Sequence, residues 1–209
     1  MKTLAIIGAG HLGQQIAHYA IYDKHYEKVV FFDDVVSKKE INGFEILGNT
    51  SQILTAFNNH CFNELIIGIG YKHLEFREKI FKKHFGTIPF GTLVHSSAWV
   101  DPSAIIQPGC IIYPRCEIDQ YATIQSNTIL NMGSSIAHNS TVGKHSFLSP
   151  RVAVAGFVTI GDGCFLGINS TIVDNITIAS QSQIGAGAVV IKPIEKKGLF
   201  VGNPAKFVR

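Results

Sequence analysis

Apolar residues run through this chain in two different rhythms. From Val94 to Val190 an aliphatic side chain falls on every sixth position without a gap: Val94, Val100, Ile106, Ile112, Ile118, Ile124, Leu130, Ile136, Val142, Leu148, Val154, Ile160, Leu166, Ile172, Ile178, Ile184 and Val190. Four residues after most of these the side chain is small, as at Ala98, Ala104, Cys110, Cys116, Ala122, Thr128, Ser134, Ser140, Ser146, Cys164, Ser170, Ser182 and Ala188; Val152, Val158 and Ile176 are larger exceptions. A period of six suits neither a helix nor a strand that alternates between two faces. It predicts an all-β parallel β-helix with one flat face per hexad and three hexads per coil. The aliphatic residue fills the core and the small one fits a tight inner corner. Residues eighteen apart then stack, about 4.8 Å from one another.

The sequence before the repeats reads differently. Leu4-Ala5-Ile6-Ile7 is a short apolar run that predicts a buried strand, and Leu12, Ile16, Tyr19 and Ala20 recur at helical spacing after it. Val29-Val30-Phe31-Phe32 predicts a second strand and Glu64-Leu65-Ile66-Ile67-Gly68 a third. A basic helix follows, with Phe76, Ile80, Phe81 and Phe85 on its apolar side. Strand–helix alternation implies a parallel sheet with crossover helices. The change of rhythm lies between Gly86 and Gly91, so the expected domains are 1–88 (α/β) and 89–209 (β-helix).

Composition narrows the class. Of the 209 residues 46% are hydrophobic and 16% charged, and the net charge is +3. The charged fraction is below the usual quarter, which points to a folded chain with much buried surface. A binder built on phosphate neutralisation would carry more positive charge, so no nucleic-acid partner is expected. Runs such as Ala188 to Ile191 are too short to cross a bilayer, and Met1-Lys2-Thr3-Leu4 leads straight into a strand, so neither a membrane anchor nor a signal peptide is expected. The cysteines at 61, 110, 116 and 164 form no Cys-x-x-Cys pair. The expectation is a cytoplasmic protein without disulfides or a metal, with three of the cysteines as buried corner fillers.

Candidate chemistry begins at the first strand. Gly8, Gly10 and Gly13 spell G-x-G-x-x-G between a strand and a helix, and Asp33 lies twenty residues beyond Gly13 at the end of the next strand. That is the dinucleotide-binding fingerprint in its proper context, and it makes residues 1–88 Rossmann-like. Glycines let the backbone approach a pyrophosphate, and the helix N-terminus supplies donors. Gly10, His11 and Leu12 would meet a diphosphate there, and Gly70, after the third strand, would allow a further close approach. A nicotinamide enzyme would need a second mononucleotide half, for which there is no room. A nucleotide sugar fits better. Asp33 or Asp34 then either accepts a hydrogen bond from a base N–H or a ribose hydroxyl, or merely caps the end of the strand.

With the glycine loop, the aspartate pair and the hexads in place, the whole chain resembles one family. These are the bacterial sugar acyltransferases that include the bacillosamine-pathway N-acetyltransferases and the sialic-acid O-acetyltransferases. The resemblance extends through Ile136-Ala137-His138-Asn139, the run from Gly161 to Ser170, and Val201-Gly202-Asn203-Pro204-Ala205-Lys206. It implies a left-handed β-helix, a homotrimer with active sites between subunits, and acetyl-CoA as donor. It also implies His138 as the base. Residue chemistry supports that role, because acyl transfer to an amine or hydroxyl needs a proton removed and a neutral imidazole suits the task. Gly156 stacks beside His138 and would leave space for a thioester arm.

Two positions depart from the family. Asn139 stands where a glutamate often follows the histidine, so the imidazolium loses a charged partner. Phe147 stands where a relative has a histidine that touches acetyl-CoA. The neighbouring His145 is read as a surface residue. The resemblance further implies acetyl-CoA contacts at Gly156, Ile168 and Ala186 through backbone groups. Separately, Lys192, Lys196, Lys197, Lys206 and Arg209 against Glu195 give the C-terminal stretch a local charge of +4, which either suits the phosphates of coenzyme A or forms a solvated basic cap. Asn131 either holds the sugar or caps a coil turn. The expected activity is acetyl-CoA-dependent N-acetylation of a nucleotide-linked amino sugar, a 4-amino-4,6-dideoxyhexose, for polysaccharide biosynthesis. Sugar O-acetylation and a non-catalytic sugar-nucleotide scaffold are the alternatives.

Overall fold

A computed structural model describes residues 2–209, which form two compact units that divide between Leu93 and Val94. In the first unit β1 (Thr3–Ile7) is buried at every position. That is what a strand covered on both faces of a parallel sheet requires. It pairs in parallel with β2 (Lys28–Phe32) on one side and, on the other, with β5 (Glu64–Ile67). Helix α1 (His11–Tyr22) buries Gly13, Ile16, Ala17 and Ala20. Helix α3 (Leu74–His84) buries Ile80 and Phe81, whereas Phe76 and Phe85, expected on the same apolar side, are 44% and 55% exposed.

Three elements were not foreseen: β3 (Glu40–Ile41), β4 (Phe44–Gly48) and the short helix α2 (Ile53–Asn58). They complete a sheet of order β3-β4-β2-β1-β5. Strand β4 is only partly buried and α2 has six residues, so neither presents a long apolar period. The core packs Ala5, Ile7, Val30, Phe32, Leu65 and Ile67 of the sheet against Ile53, Phe62, Ile80 and Phe81.

The second unit is a left-handed parallel β-helix. Its two-residue strands stack into three sheets. One has six strands, from Trp99–Val100 to Val189–Val190, one has five, from Ile105–Ile106 to Thr177–Ile178, and one has eight, from Leu93–Val94 to Lys206–Phe207. We call these the first, second and third faces. Up to Val190 the ladders between coils join residues eighteen apart, as in Ile118↔Ile136↔Val154; the closing pair Ile184↔Phe200 is sixteen apart. From Ile112 to Val190 every aliphatic residue of the hexad series is buried; Val94, Val100 and Ile106, in the opening coil, are half-buried.

The corners obey two further rules. Three residues after each hexad aliphatic, the backbone enters the left-handed region at every corner from Gly109 to Gly187. Eight of those fourteen positions are Gly or Asn, the residues that tolerate it best. At several corners the small residue that follows bonds across to the next coil. Ser140 Oγ donates to Ala155 O (2.8 Å), Thr128 Oγ1 to Gly143 O (2.9 Å) and Cys116 Sγ to Asn131 O (3.2 Å). The corner residues Ser170 and Ser182 are buried without such a bond, so the donor is an addition at some corners and not a requirement of all.

Cys110, Cys116 and Cys164 are buried and Cys61 is exposed. Burial pushes the thiols of Cys116 and Cys164 up to about 11. A thiol reagent such as Ellman's is therefore expected to titrate one cysteine in the folded protein and all four in denaturant, since only an accessible thiolate reacts readily.

Candidate active site

The glycine loop is built by close packing. Gly8 has φ +98° and donates its N–H to Phe32 O, which seats the loop at the carboxyl ends of β1 and β2. A Cβ on Gly13 would collide with the carbonyl oxygen of Gly8, and one on Gly68 would lie 2.7 Å from Gly13 Cα. By contrast, a Cβ on Gly10 or Gly70 would meet nothing within 4 Å, so both backbones face open space. Gly10 is the N-cap of α1 with no side-chain cap, and His11 and Leu12 open its first turn. Arg77, fully buried, donates Nη1 to the carbonyls of Ile67 and Ile69 at 2.8 Å and so braces the backbone that leads into Gly70.

The two aspartates are occupied by the chain itself. Asp33 accepts from the N–H of Ala9 (2.7 Å) on one oxygen and from those of Val35 and Val36 (both 2.8 Å) on the other. Asp34 accepts from Thr50 N (2.7 Å) and Thr50 Oγ1 (2.9 Å). The capping alternative therefore has a full structural basis, and Asp33 ties the glycine loop to the end of β2. Together with Val36, Lys38, Asn49 and Gln52 they line a cavity of about 390 Å³.

In the β-helix, His138 and Asn139 sit at the corner between the first and second faces. Asn139 has φ +59°, a conformation an Asn accepts more readily than a Glu. Its Oδ1 lies 3.2 Å from His138 Nδ1. An amide oxygen only accepts, so the tautomer that makes this bond carries its proton on Nδ1 and has its Nε2 lone pair available. The neighbouring coil supplies Gly156, where a Cβ would come within 2.7 Å of Cε1 and 2.9 Å of Nε2 of His138. The space beside this glycine is thus taken by the imidazole, not left open for a thioester arm. Phe157 completes the group, its ring 5.1 Å from that of His138 at 85°. Reasoning from the sequence passed over Phe157, although its place in the register, eighteen residues after Asn139, would have flagged it.

Among the described residues, the backbone N–H groups of Gly156, Ile168 and Ala186 have no hydrogen-bond partner. Ile168 and Ala186 stack together at the corner between the third and first faces, as does Asn131. A single chain therefore holds these three apart from His138. Asn131 Oδ1 accepts the N–H of Met132 (2.9 Å), the capping arrangement. Phe147 lies on the third face against Phe165, with ring centroids 6.2 Å apart, and is only 5% exposed, so its ring offers little surface to a ligand. His145, read as a surface residue, is instead buried: it stacks one coil above Asn127, whose Nδ2 lies 2.9 Å from its Nδ1. Lys206 lies exposed in the final strand and lines, with Ile191, Lys192, Pro193, Phe200 and Phe207, a cavity of about 300 Å³.

Burial alone would raise the Asp33 carboxyl, but its three backbone donors outweigh that and hold it below the ordinary carboxylate value. Its contribution to stability is complete above the unfolded value of about 3.9 and is lost as pH falls through the lower folded value. Asp33→Asn is expected to destabilise the protein at neutral pH and to flatten the acid limb of a stability–pH curve measured by urea denaturation.

Residues 3–84 match the PglD N-terminal domain family, and residues 157–192 match the bacterial transferase hexapeptide (six repeats) family. No curated protein matches the chain. Among solved structures, the acetyltransferase domain of PglB from Neisseria gonorrhoeae FA1090 is 26% identical over the whole of both chains, with a TM-score of 0.92. The same domain in complex with acetyl coenzyme A is 27% identical over 99% of each, at 0.91. PerB from Caulobacter crescentus, in complex with CoA and GDP-perosamine, shares the fold at 24% identity, over 100% of this chain and 98% of that one, at 0.91. The glycine-loop domain and the hexapeptide coils are thus each matched in chain order, and one solved acetyltransferase carries both from end to end.

Proposed function

We propose that this chain transfers the acetyl group of acetyl-CoA to the amine of a nucleotide-linked amino sugar, a 4-amino-4,6-dideoxyhexose. The observation that carries the reading is the His138 site: an imidazole whose Nδ1 lies 3.2 Å from the amide oxygen of Asn139, one coil from a Gly156 backbone N–H that has no partner among the described residues. The gonococcal domain, solved in complex with acetyl coenzyme A, supports the donor. So does the cavity at the end of the β-helix, because an apolar lining with Lys192 and Lys206 suits an adenine and its phosphates.

Bound acetyl-CoA supplies the thioester. His138 takes a proton from the acceptor nitrogen at Nε2, and Asn139 keeps the ring in the tautomer that can do so. The Gly156 N–H is suited to stabilise the oxygen on which negative charge develops. Asn139 carries no charge, so the imidazolium gains less than it would beside a carboxylate. A hydroxyl acceptor depends more heavily on a strong base than an amine does, and this favours the amine. Ile168 and Ala186 lie at a different corner from His138, and a donor in contact with all three would span two copies of the chain. That supports a homotrimer with sites between subunits. In the first unit, the open backbone at Gly10, the start of α1 at His11 and Leu12, the Asp33–Asp34 cavity and Gly70 suit the nucleoside diphosphate. The acetylated product would enter surface-polysaccharide assembly.

Release of free coenzyme A thiol, followed across uridine-, thymidine- and guanosine-diphosphate 4-amino sugars and their 4-hydroxy counterparts, tests this. Turnover confined to the hydroxy sugars would transfer the assignment to O-acetylation. His138→Ala is expected to lower kcat by about 10²–10⁴-fold, the range of a general base. Gly156→Ala forces the imidazole to shift, and a displacement of that size is expected to cost up to about 10²-fold in kcat/KM with little loss of stability.

A further inference from the structure

We infer that Phe157, together with Tyr121, is the specificity-determining surface of the acceptor site. The two rings form an apolar wall for the deoxy side of the sugar, and Phe157 also positions the imidazole of His138. The inference rests on the function proposed above. It starts from an anomaly of residue type. Left-handed corners favour Gly and Asn, and bulky side chains are outliers there. Among the described corners, Tyr and Phe each occur once, at Tyr121 (φ +57°) and Phe157 (φ +57°). They lie eighteen residues before and after Asn139, so they occupy the same corner one coil to either side of it. The rings are not buried in the core: Tyr121 is 64% exposed and Phe157 55%. Phe157 packs across the imidazole at 5.1 Å. Disfavoured residues persist where their surroundings use them, and such sites cluster at functional centres.

The chemistry of the acceptor suits this wall. A hexose presents C–H groups on its faces, which pack on aromatic rings. A 6-deoxy sugar adds a methyl group, which gains from an apolar contact. A 6-hydroxyl pressed on the same surface would lose water without gaining a partner. An amine brought to His138 Nε2 necessarily comes beside Phe157.

The test compares the full-length wild type with Phe157→Asn and Phe157→Tyr. Asparagine is at home in a left-handed corner, so its fold and Tm should be retained. Initial rates are measured with acetyl-CoA and two uridine-diphosphate acceptors, a 4-amino-4,6-dideoxyhexose and the 4-amino-4-deoxyhexose that keeps its 6-hydroxyl. Thymidine- and guanosine-diphosphate forms are run alongside. The wild type is expected to prefer the deoxy sugar by about 10-fold or more, the scale set by one small group in an apolar pocket. Phe157→Asn should reduce that preference to within about 2-fold and raise KM for the sugar about 10-fold, with KM for acetyl-CoA unchanged; on the same scale Phe157→Tyr should restore most of both. A Phe157→Asn enzyme indistinguishable from an active wild type would overturn the inference and leave the proposed function standing. So would a variant that merely changes oligomeric state by sedimentation velocity, since Phe157 would then serve the contact between copies. A wild type inactive on every acceptor would overturn both.

Discussion

Every coil of the C-terminal unit must turn three corners within eighteen residues, and it does so by placing one residue in six in the left-handed region. That constraint sets the rest. It fixes the register, so that Ile118, Ile136 and Val154 share a face, and it leaves most inner corners to a small side chain, with Val152, Val158 and Ile176 as buried exceptions. Ser140, Thr128 and Cys116 fill such corners and also donate a hydrogen bond to the next coil. The same geometry lays His138 over Gly156, because the two occupy equivalent places in successive coils. The site is thus a consequence of the register, adjusted by a few side chains.

The adjustments are local and chemical. Asn139 meets the backbone demand of its corner and sets its Oδ1 against Nδ1 of His138. What it lacks is charge, so the imidazole is oriented but not electrostatically reinforced. Phe157 accepts an unfavourable backbone conformation beside that imidazole. In the first unit, Asp33 spends its carboxylate on three backbone donors and thereby holds the glycine loop, instead of presenting both oxygens to a ligand.

The hexad aliphatics were legible because one interaction, burial in a narrow prism, governs every sixth residue from Val94 to Val190. The glycine fingerprint was legible because Gly8 and Gly13 answer backbone demands that no other residue meets. Other features rest on competition between weaker terms. Strand β4 and helix α2 are short and half-exposed, so their apolar spacing carries little signal. His145 looked like a surface residue because the stacking that buries it on Asn127 depends on a residue eighteen positions away. The run of Gly and Asn at the corners was in plain view, and reading it would have exposed six exceptions, Arg115, Tyr121, His145, Arg151, Phe157 and Gln181, of which Tyr121 and Phe157 flank Asn139.

The eighteen-residue ladder also limits how a chain of this kind can change in length. Loss or gain of a single hexad would preserve the buried aliphatics, yet it would rotate everything downstream by a third of a turn around the axis. Ile168 and Ala186 would then leave their corner, and the cationic end of the prism would face a different side. Only whole coils can be added or removed with the azimuth of each side chain kept, and they would alter height alone. The distance between the imidazole and the lysine-lined end is therefore counted in coils, a discrete ruler built into the backbone.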